Sequence, residues 1–261
     1  MAMPRQIARR VLLARWPLSL ALLVLALVGW DALIRLRGLP PLVLPGPVLV
    51  AREIVTLLLG GTLWPHVAAT LTAVLLGFVL GSAIGLGLGT IVAHSTVLGG
   101  ILRPYVVASQ AMPKLAMAPI LVVWLGFDLT PKVVIAALIS FFPLFENILA
   151  GLQAVDPDEL ELFRSLRASR WQTFVKLRLP SAVPFVVAGL RVALILSLVG
   201  AVVGEFVGAN RGLGALIIMA QGTMNTPLMF AIFVVLTMLG IALSVLTDVI
   251  ERLVLRWRYG E

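Results

Sequence analysis

Six apolar stretches, each near the length that a helix needs to cross a lipid bilayer, occupy most of this chain. About 20 consecutive apolar residues suffice for such a crossing. Hydrophobic residues fill 61% of the 261 positions and charged residues only 12%, which excludes an ordinary soluble domain. The pattern predicts an all-α polytopic membrane protein with six transmembrane helices, at Trp16–Ile34, His66–Ala93, Ile101–Leu125, Lys132–Leu149, Ser181–Val207 and Leu228–Ile250.

The basic residues orient these spans. Arginine and lysine precede the first span, open the third, crowd the segment between the fourth and fifth, and follow the last. Because the number of spans is even, all of these positions fall on one side of the membrane. The positive-inside rule therefore predicts that both termini and the segment between the fourth and fifth spans are cytosolic. The formal net charge of +8 is explained by this topology and by contact with lipid head groups, so it does not call for a nucleic-acid partner.

The N-terminal part is predicted to be peripheral, with residues 1–65 preceding a core over residues 66–261. The basic start imitates a secretory signal, but the apolar run continues to Ile34 without a clear small-x-small cleavage site, so we expect a retained first helix. Four prolines and two glycines in Gly38–Pro47 exclude a continuous helix, which predicts an external linker. The apolar segment Val48–Leu59 then predicts an interfacial helix.

One long polar segment, Asp156–Pro180, separates the fourth span from the fifth and is called the polar loop below. It is acidic at its start and basic towards its end, which is the order that the helix dipole favours. Leu160, Phe163 and Leu166 recur at roughly helical spacing. The polar loop is therefore predicted to form one or two amphipathic helices that offer a face to a partner.

Glycines recur at four-residue spacing in two spans: Gly77, Gly81, Gly85 and Gly89 in the second, and Gly200 and Gly204 in the fifth. A helix face without side chains lets another backbone approach closely, which is how helices associate in lipid. We therefore predict tight helix packing at both rows. A sliding or pore-facing surface is the functional alternative.

Five ionisable residues lie inside or near the ends of the predicted spans: Lys114, Glu146, Arg191, Glu205 and Asp248. Charges within a bilayer are costly and therefore mark candidates for function. Glu146, Arg191 and Asp248 are placed where snorkelling or mutual pairing can satisfy them. Glu205 is predicted either to link neighbouring helices or to act in a gate or pathway, and Arg191 is a second gate or pathway candidate.

Enzymatic and metal-binding signals are missing from the sequence. The chain has no cysteine, and its two histidines, His66 and His94, stand alone at predicted helix ends. We therefore predict no catalytic residue and no metal site. No Gly-x-x-x-x-Gly-Lys-Ser/Thr sequence occurs, so the chain carries no phosphate-binding loop for ATP.

The polar loop contains a spaced motif. It runs Glu161-Leu162-Phe163, then Arg167, then Leu177-Arg178-Leu179-Pro180. In register, this resembles the signature of binding-protein-dependent ABC importer permeases, which is Glu-Ala-Ala, three residues, Gly, nine residues, and Ile-x-Leu-Pro. Leu162 and Phe163 stand where that signature has alanines, and Arg167 stands where it has glycine.

Flanking motifs strengthen the resemblance and extend it over nearly the whole chain. They are similar in order and spacing to the nitrate/sulfonate/taurine branch of these permeases. The matching segments are Leu44-Pro45-Gly46-Pro47, Trp124-Leu125-Gly126, Ala168-Ser169-Arg170-Trp171-Gln172, Gly189-Leu190-Arg191, and Gly204-Glu205-Phe206 with Gly212-Leu213-Gly214.

The resemblance implies a type I fold with a core of five helices plus one peripheral N-terminal helix, in the cell inner membrane. It also implies a homodimer that works with two ATPase subunits and with a periplasmic or lipid-anchored substrate-binding protein. ATP and Mg would then be bound by the ATPase, with no cofactor in this chain, and transport would proceed by alternating access. The coupling helix would be Leu160–Ser169. The implied coupling residues are Glu161, Leu162, Phe163, Leu166, Arg167, Ala168, Ser169, Leu179 and Pro180.

Two other classes of membrane protein compete with this interpretation. An ATP-independent secondary transporter or channel often shows inverted repeats, and no convincing repeat is present. A membrane enzyme needs a cluster of catalytic or metal-binding side chains, which the sparse acids do not form. Within the resembling branch the solute stays open among nitrate, sulfonates, taurine, bicarbonate and pyrimidine-type vitamin precursors.

Overall fold

The computed structural model describes the backbone of residues 5–255 and the side chains of residues 17–95 and 97–255. Both chain ends, which the sequence predicts to be cytosolic, lie outside the described residues. All regular structure in the described part is helical, which confirms the all-α prediction. The helices are α1 (Arg5–Arg37), α2 (Pro47–Leu59), α3 (Leu63–His94), α4 (Thr96–Ala111), α5 (Ala118–Leu125), α6 (Leu129–Gln153), α7 (Pro157–Ser165), α8 (Arg170–Thr173), α9 (Leu179–Phe206), α10 (Leu213–Gly222) and α11 (Thr226–Val254).

Five helical segments in the described part are long and apolar enough to cross a membrane: Pro17–Arg37, Leu63–His94, Leu129–Gln153, Arg170–Phe206 and Thr226–Val254. A sixth crossing is provided if the pair Val97–Gln110 and Lys114–Leu125 counts as one span. These segments correspond in order to the six predicted spans.

The third predicted span differs from expectation because it is broken. Its two halves, Val97–Gln110 in α4 and Lys114–Leu125 ending in α5, meet at an angle of 79°. Pro113 lacks an amide hydrogen and disfavours helical geometry in the residue before it. Met112 is accordingly extended, with φ −65° and ψ 133°. A 3₁₀ turn, Lys114–Met117, follows before α5 begins, so the predicted span Ile101–Leu125 consists of two helices joined at a bend.

The chain forms two compact units, and the first joins residues 1–61 to residues 219–234. Between α1 and α2 its proline- and glycine-rich segment consists of turns and irregular backbone and contains no helix. Helix α2 corresponds to the predicted helix and begins at Pro47, where proline fits because the first helical amide needs no partner. Within this unit the Thr226 hydroxyl donates a 2.6 Å hydrogen bond to the Leu42 carbonyl oxygen. The Trp30 and Phe230 rings lie 5.9 Å apart.

The second unit, residues 62–218 and 235–261, is built around α6, which packs against both α3 and α9. The glycine row of α3 faces α6: a Cβ atom built on Gly81 would lie 2.5 Å from the Ala137 carbonyl oxygen. The glycines of α9 face the same helix, since a Cβ on Gly200 would lie 2.7 Å from the Ala136 Cα atom. Both glycine rows therefore occur where two backbones approach too closely for a side chain.

We expect Gly81→Leu to lower the free energy of unfolding by about 1–3 kcal/mol, because the new side chain overpacks the contact between α3 and α6. Thermal unfolding in detergent measures the effect. Gly87→Leu is the matched control, since it lies on the same helix and a Cβ atom there meets nothing within 4 Å. Equal unfolding temperatures for the two variants would show that the glycine row does not require close packing.

Candidate functional site

Helix α7 opens the polar loop and has a well-defined start. The Asp156 side chain accepts a 2.9 Å hydrogen bond from the Asp158 amide, and Pro157 occupies the first turn. Acidic Asp158 and Glu159 follow in that turn, where the positive end of the helix dipole favours them. The helix therefore begins three residues before the predicted coupling helix Leu160–Ser169.

The end of α7 is determined by the backbone of Arg167, which has a φ of +51°. The Ala168 amide donates to the Phe163 carbonyl oxygen at 3.0 Å, and the Arg167 amide donates to the Arg164 carbonyl oxygen at 2.9 Å. This pair of bonds is the Schellman motif, in which a left-handed residue closes a helix. The helix thus ends at Ser165, and the predicted end at Ser169 was wrong. The same geometry gives a physical reason for glycine at this position of the resembling signature.

We expect Arg167→Gly to be tolerated and to stabilise the turn by up to about 1 kcal/mol, because glycine adopts positive φ without a Cβ penalty. Co-purification of the ATPase subunit with the variant provides the measurement. Arg167→Ala is the matched control, since it removes the guanidinium but keeps the backbone penalty. A defect in both variants would show that the guanidinium itself is required.

The second part of the polar loop is continuous with a membrane helix. Ser169 and Gln172 form a reciprocal capping box at the start of α8. A π-helical segment, Phe174–Arg178, then leads into α9, whose first turn contains Pro180. Because α8, the π segment and α9 form one helical stretch, a displacement of the polar loop can be transmitted directly to the membrane helix.

Large apolar side chains of the polar loop are exposed. Leu162 is 56% exposed, and Leu166 and Trp171 are each 70% exposed. Leu162 and Leu166 are four residues apart, so they lie on the same side of α7. Phe163 is half-buried, whereas Glu161 and Ser169 are exposed. The predicted coupling residues thus include an apolar surface that the described part of the chain leaves uncovered.

Glu205 is only 1% exposed and lies in a hydrogen-bonded cluster. Its carboxylate accepts a 2.8 Å hydrogen bond from the Thr70 hydroxyl of α3 and another of 2.8 Å from the Gly214 amide of α10. The Thr70 hydroxyl also accepts a 2.8 Å bond from the Leu213 amide. Glu205 therefore links α9, α3 and α10, which fits the structural alternative stated from the sequence. Its role in a gate or pathway stays a prediction.

Two further side chains hold the segment before α10. The Lys132 ammonium donates a 2.9 Å hydrogen bond to the Arg211 carbonyl oxygen. The Nδ1 atom of His66 lies 2.8 Å from the Gly212 carbonyl oxygen. Gly212 has a φ of +134°, and a side chain there would collide with the Glu205 carboxylate. The partners of Glu205 could not be found from sequence because Thr70 is more than 100 positions away from it.

Arg191 is paired across two helices. Its guanidinium lies 2.8 Å from the Asp248 carboxylate and 3.8 Å from that of Glu251, both on α11. These contacts match the mutual pairing expected from the sequence for Arg191 and Asp248. A gate or pathway role for Arg191 stays a prediction.

Polar side chains also gather where the third span bends. The Gln110 amide donates a 3.0 Å hydrogen bond to the exposed Glu146 carboxylate. The Lys114 ammonium lies 3.8 Å from the centre of the Phe142 ring. Phe142 and Glu146 are one turn apart on α6, so the two contacts form adjacent layers. Since an exposed carboxylate within a bilayer is costly, this surface is suited to an aqueous pathway or to a second subunit.

Comparison with known proteins relates this architecture to one family. Residues 81–258 match the family model described as "Binding-protein-dependent transport system inner membrane component". The chain is 42% identical to the riboflavin transport system permease protein RibX of Chloroflexus aurantiacus, covering 90% of this chain and 88% of that protein. It is 33% identical to the formylaminopyrimidine transport permease protein ThiX of Halalkalibacterium halodurans, covering 90% of this chain and 93% of that protein.

The fold is similar to that of a solved transporter. A chain of the MetNI methionine ABC transporter, in inward facing conformations, superimposes with a TM-score of 0.65 at 23% sequence identity. The similarity covers 74% of this chain and 95% of that one. With the family match over residues 81–258 and the two relatives above, this fold places the chain in the family of binding-protein-dependent transport system inner membrane components, as a multi-pass permease of the ABC importer type.

Proposed function

We propose that this chain is the permease subunit of an ATP-driven importer that passes a small solute from an external binding protein to the cytosol by alternating access. The observation that carries the proposal is the uncovered apolar surface of Leu162, Leu166 and Trp171 on a well-capped polar loop. An ABC permease has to be moved by a separate ATPase, and this surface offers a partner a docking site of that kind. The family match supports this importer role over the ATP-independent alternative.

The mechanism follows from the continuity of the polar loop with α9. ATPase subunits that close on ATP would carry α7 and α8 with them, and the helical stretch Arg170–Phe206 would transmit that displacement. At Gly200 and Gly204 the backbone of α9 lies directly against α6, so α6 would move with it. A homodimer with two ATPases would thereby reorient a central pathway between its two subunits.

The solute pathway is proposed to run along the bend between α4 and α5. Gln110, Glu146 and Lys114 provide hydrogen-bond donors, acceptors and charge at that surface, and Lys114 lies over the buried ring of Phe142. Such a mixture suits a nitrogen-containing aromatic solute better than a small inorganic anion. Riboflavin and formylaminopyrimidine, which name the transport systems of the two relatives above, both contain such rings. We therefore propose a vitamin or vitamin precursor as the solute.

Uptake into proteoliposomes tests this function. The vesicles contain the permease–ATPase assembly, ATP is enclosed, and the partner binding protein is added outside. We expect accumulation of labelled riboflavin or formylaminopyrimidine only when both ATP and the binding protein are present.

Labelled taurine is the comparison solute, and vesicles without the ATPase subunit are the control. Accumulation of taurine alone would overturn the proposed solute class and leave the importer role intact. Accumulation without ATPase and ATP would overturn the importer role itself.

A further inference from the structure

Three arginine side chains line one cavity between the polar loop and the end of a membrane helix. The cavity has a volume of about 470 Å³. Arg164 comes from the last turn of α7, Arg170 from the first turn of α8, and Arg178 from the end of the π segment. The walls also include Leu160, Phe174 and His94. Arg164 and Arg170 lie outside the spaced motif of the polar loop. Arg178 occupies the variable position of its Leu177-Arg178-Leu179-Pro180 part.

The positive charge in this cavity is not neutralised by the described part of the chain. No described carboxylate forms an ion pair with Arg164, Arg170 or Arg178, and no acidic residue lines the cavity. Asp156, Asp158 and Glu159 lie at the start of α7, away from Arg164 in its last turn, and Glu161, three residues before Arg164, does not line the cavity. Like charges that share a cavity repel each other, so an anion bound between them would be stabilised.

The π segment explains why Arg170 and Arg178 reach the same cavity. On a regular α-helix, side chains eight residues apart point about 80° away from each other. Here the Leu179 amide bonds to the Phe174 carbonyl oxygen, five residues earlier, which widens the turn. A wider turn rotates less per residue and so brings Arg178 towards the side of Arg170. π turns of this kind are frequent at functional sites.

The cavity also has an apolar wall at the level where membrane helices end. Helix α3 ends at His94, and the His94 ring packs edge-on against Phe174 with 4.8 Å between the ring centres. Helix α9 begins at Leu179, directly after the cavity residue Arg178. Lipid phosphates lie at the ends of membrane helices, and basic pockets between such helices on the cytoplasmic side bind anionic head groups.

We propose that this cavity binds a phosphate group, supplied by the head group of an anionic phospholipid or by free phosphate. Guanidinium groups present paired donors that match phosphate oxygens, and three of them from separate helical segments can surround one anion. Leu160 and Phe174 would contact the apolar part of a lipid. A bound phosphate would connect α7 and α8 to each other beside the end of α3, and would thereby hold the polar loop in position on the membrane helices.

Native mass spectrometry of the full-length permease tests the site in nanodiscs of phosphatidylcholine with phosphatidylglycerol as a minor lipid. We expect the wild-type chain to retain phosphatidylglycerol on release from the nanodisc. A triple Arg164→Gln, Arg170→Gln, Arg178→Gln variant should bind it at least about tenfold more weakly, since each cation near anionic lipid contributes measurably to affinity. The three single variants provide the same comparison if the triple variant does not fold.

The matched control is a triple Arg103→Gln, Lys176→Gln, Arg252→Gln variant. It removes the same charge from exposed positions that do not line this cavity and are predicted to be cytosolic. Inorganic phosphate, titrated in phosphatidylcholine nanodiscs while thermal unfolding is followed, distinguishes the two sources. Stabilisation by phosphate that the pocket variant loses, without selective lipid retention, assigns free phosphate as the ligand.

Equal behaviour of the pocket and control variants towards both probes would overturn the proposal. So would a pocket variant that retains lipid and responds to phosphate normally but no longer binds the ATPase subunit. In that case the guanidinium groups serve a protein contact.

Discussion

Replacing Leu162 and Leu166 together by aspartate is expected to release the ATPase subunits and abolish ATP-driven uptake. The two side chains are 56% and 70% exposed. Leu166 directly follows α7, and its amide donates a hydrogen bond to the Leu162 carbonyl oxygen, so the two residues are one helical turn apart. Burying a leucine in a partner surface contributes about 1.5–3 kcal/mol, so losing two costs about 3–6 kcal/mol, or at least about a hundredfold in affinity. Carboxylates placed in the same surface add a desolvation penalty.

Native mass measurement of the detergent-solubilised complex detects this loss. The wild-type assembly is expected to contain two copies of this chain and two ATPase chains, whereas the aspartate variant should appear as the permease dimer alone. The double Leu162→Met, Leu166→Met variant is the control, because it keeps the apolar volume. A complete complex with the aspartate variant would mean that the exposed leucines do not bind the ATPase. A stable, active wild-type complex with one copy of this chain would rule out the homodimer.

Glu161→Ala and Phe163→Ala test the same interface, and we expect each to weaken binding of the ATPase subunit less than the double aspartate variant does. Phe163 is half-buried, so part of its side chain is already covered by the described chain. Leu162 and Leu166 therefore report contact with the ATPase more directly than Phe163 does, since their side chains are largely free in the described chain.

Local sequence patterns predicted the helices. An apolar run of about 20 residues crosses a membrane as a helix, so the positions of these runs in the sequence predicted the order of the spans. The glycine rows were also informative, because a helix without side chains at Gly81 and Gly200 leaves room for the backbone of a neighbouring helix.

Backbone events of one or two residues were harder to predict. Three such features are the bend at Pro113, the positive φ of Arg167 and the π turn before Leu179. Each is set by the backbone conformation of one or a few residues, and the spacing of apolar residues does not indicate that conformation. Proline at position 113 indicates a helix break in the sequence. Arginine at position 167 gives no such indication of its positive φ, whereas glycine there would have done so. The partners of Glu205 required tertiary structure, since Thr70 and Gly214 reach it from other helices.

Glu205→Ala is expected to destabilise the folded protein by about 2–6 kcal/mol. The substitution leaves the Thr70 hydroxyl and the Gly214 amide without their shared acceptor in a buried site, and each such orphaned group costs about 1–3 kcal/mol. Glu205→Gln should cost less, because its amide oxygen can still accept one of the two bonds. Thermal unfolding in detergent should therefore rank the wild type above Glu205→Gln, and Glu205→Gln above Glu205→Ala.

Thr70→Val separates the structural role of Glu205 from a gate. Valine has a similar shape but provides no hydroxyl, so the Leu213 amide and the Glu205 carboxylate each lose a partner. If Glu205 acts as a link, Thr70→Val should reproduce much of the Glu205→Ala destabilisation, and the double variant should be less destabilised than the sum of the two. Transport should then fall in parallel with stability across all the variants. If Glu205 acts as a gate, Glu205→Gln would stop uptake while its unfolding temperature stays near that of the wild type, and Thr70→Val would keep transport.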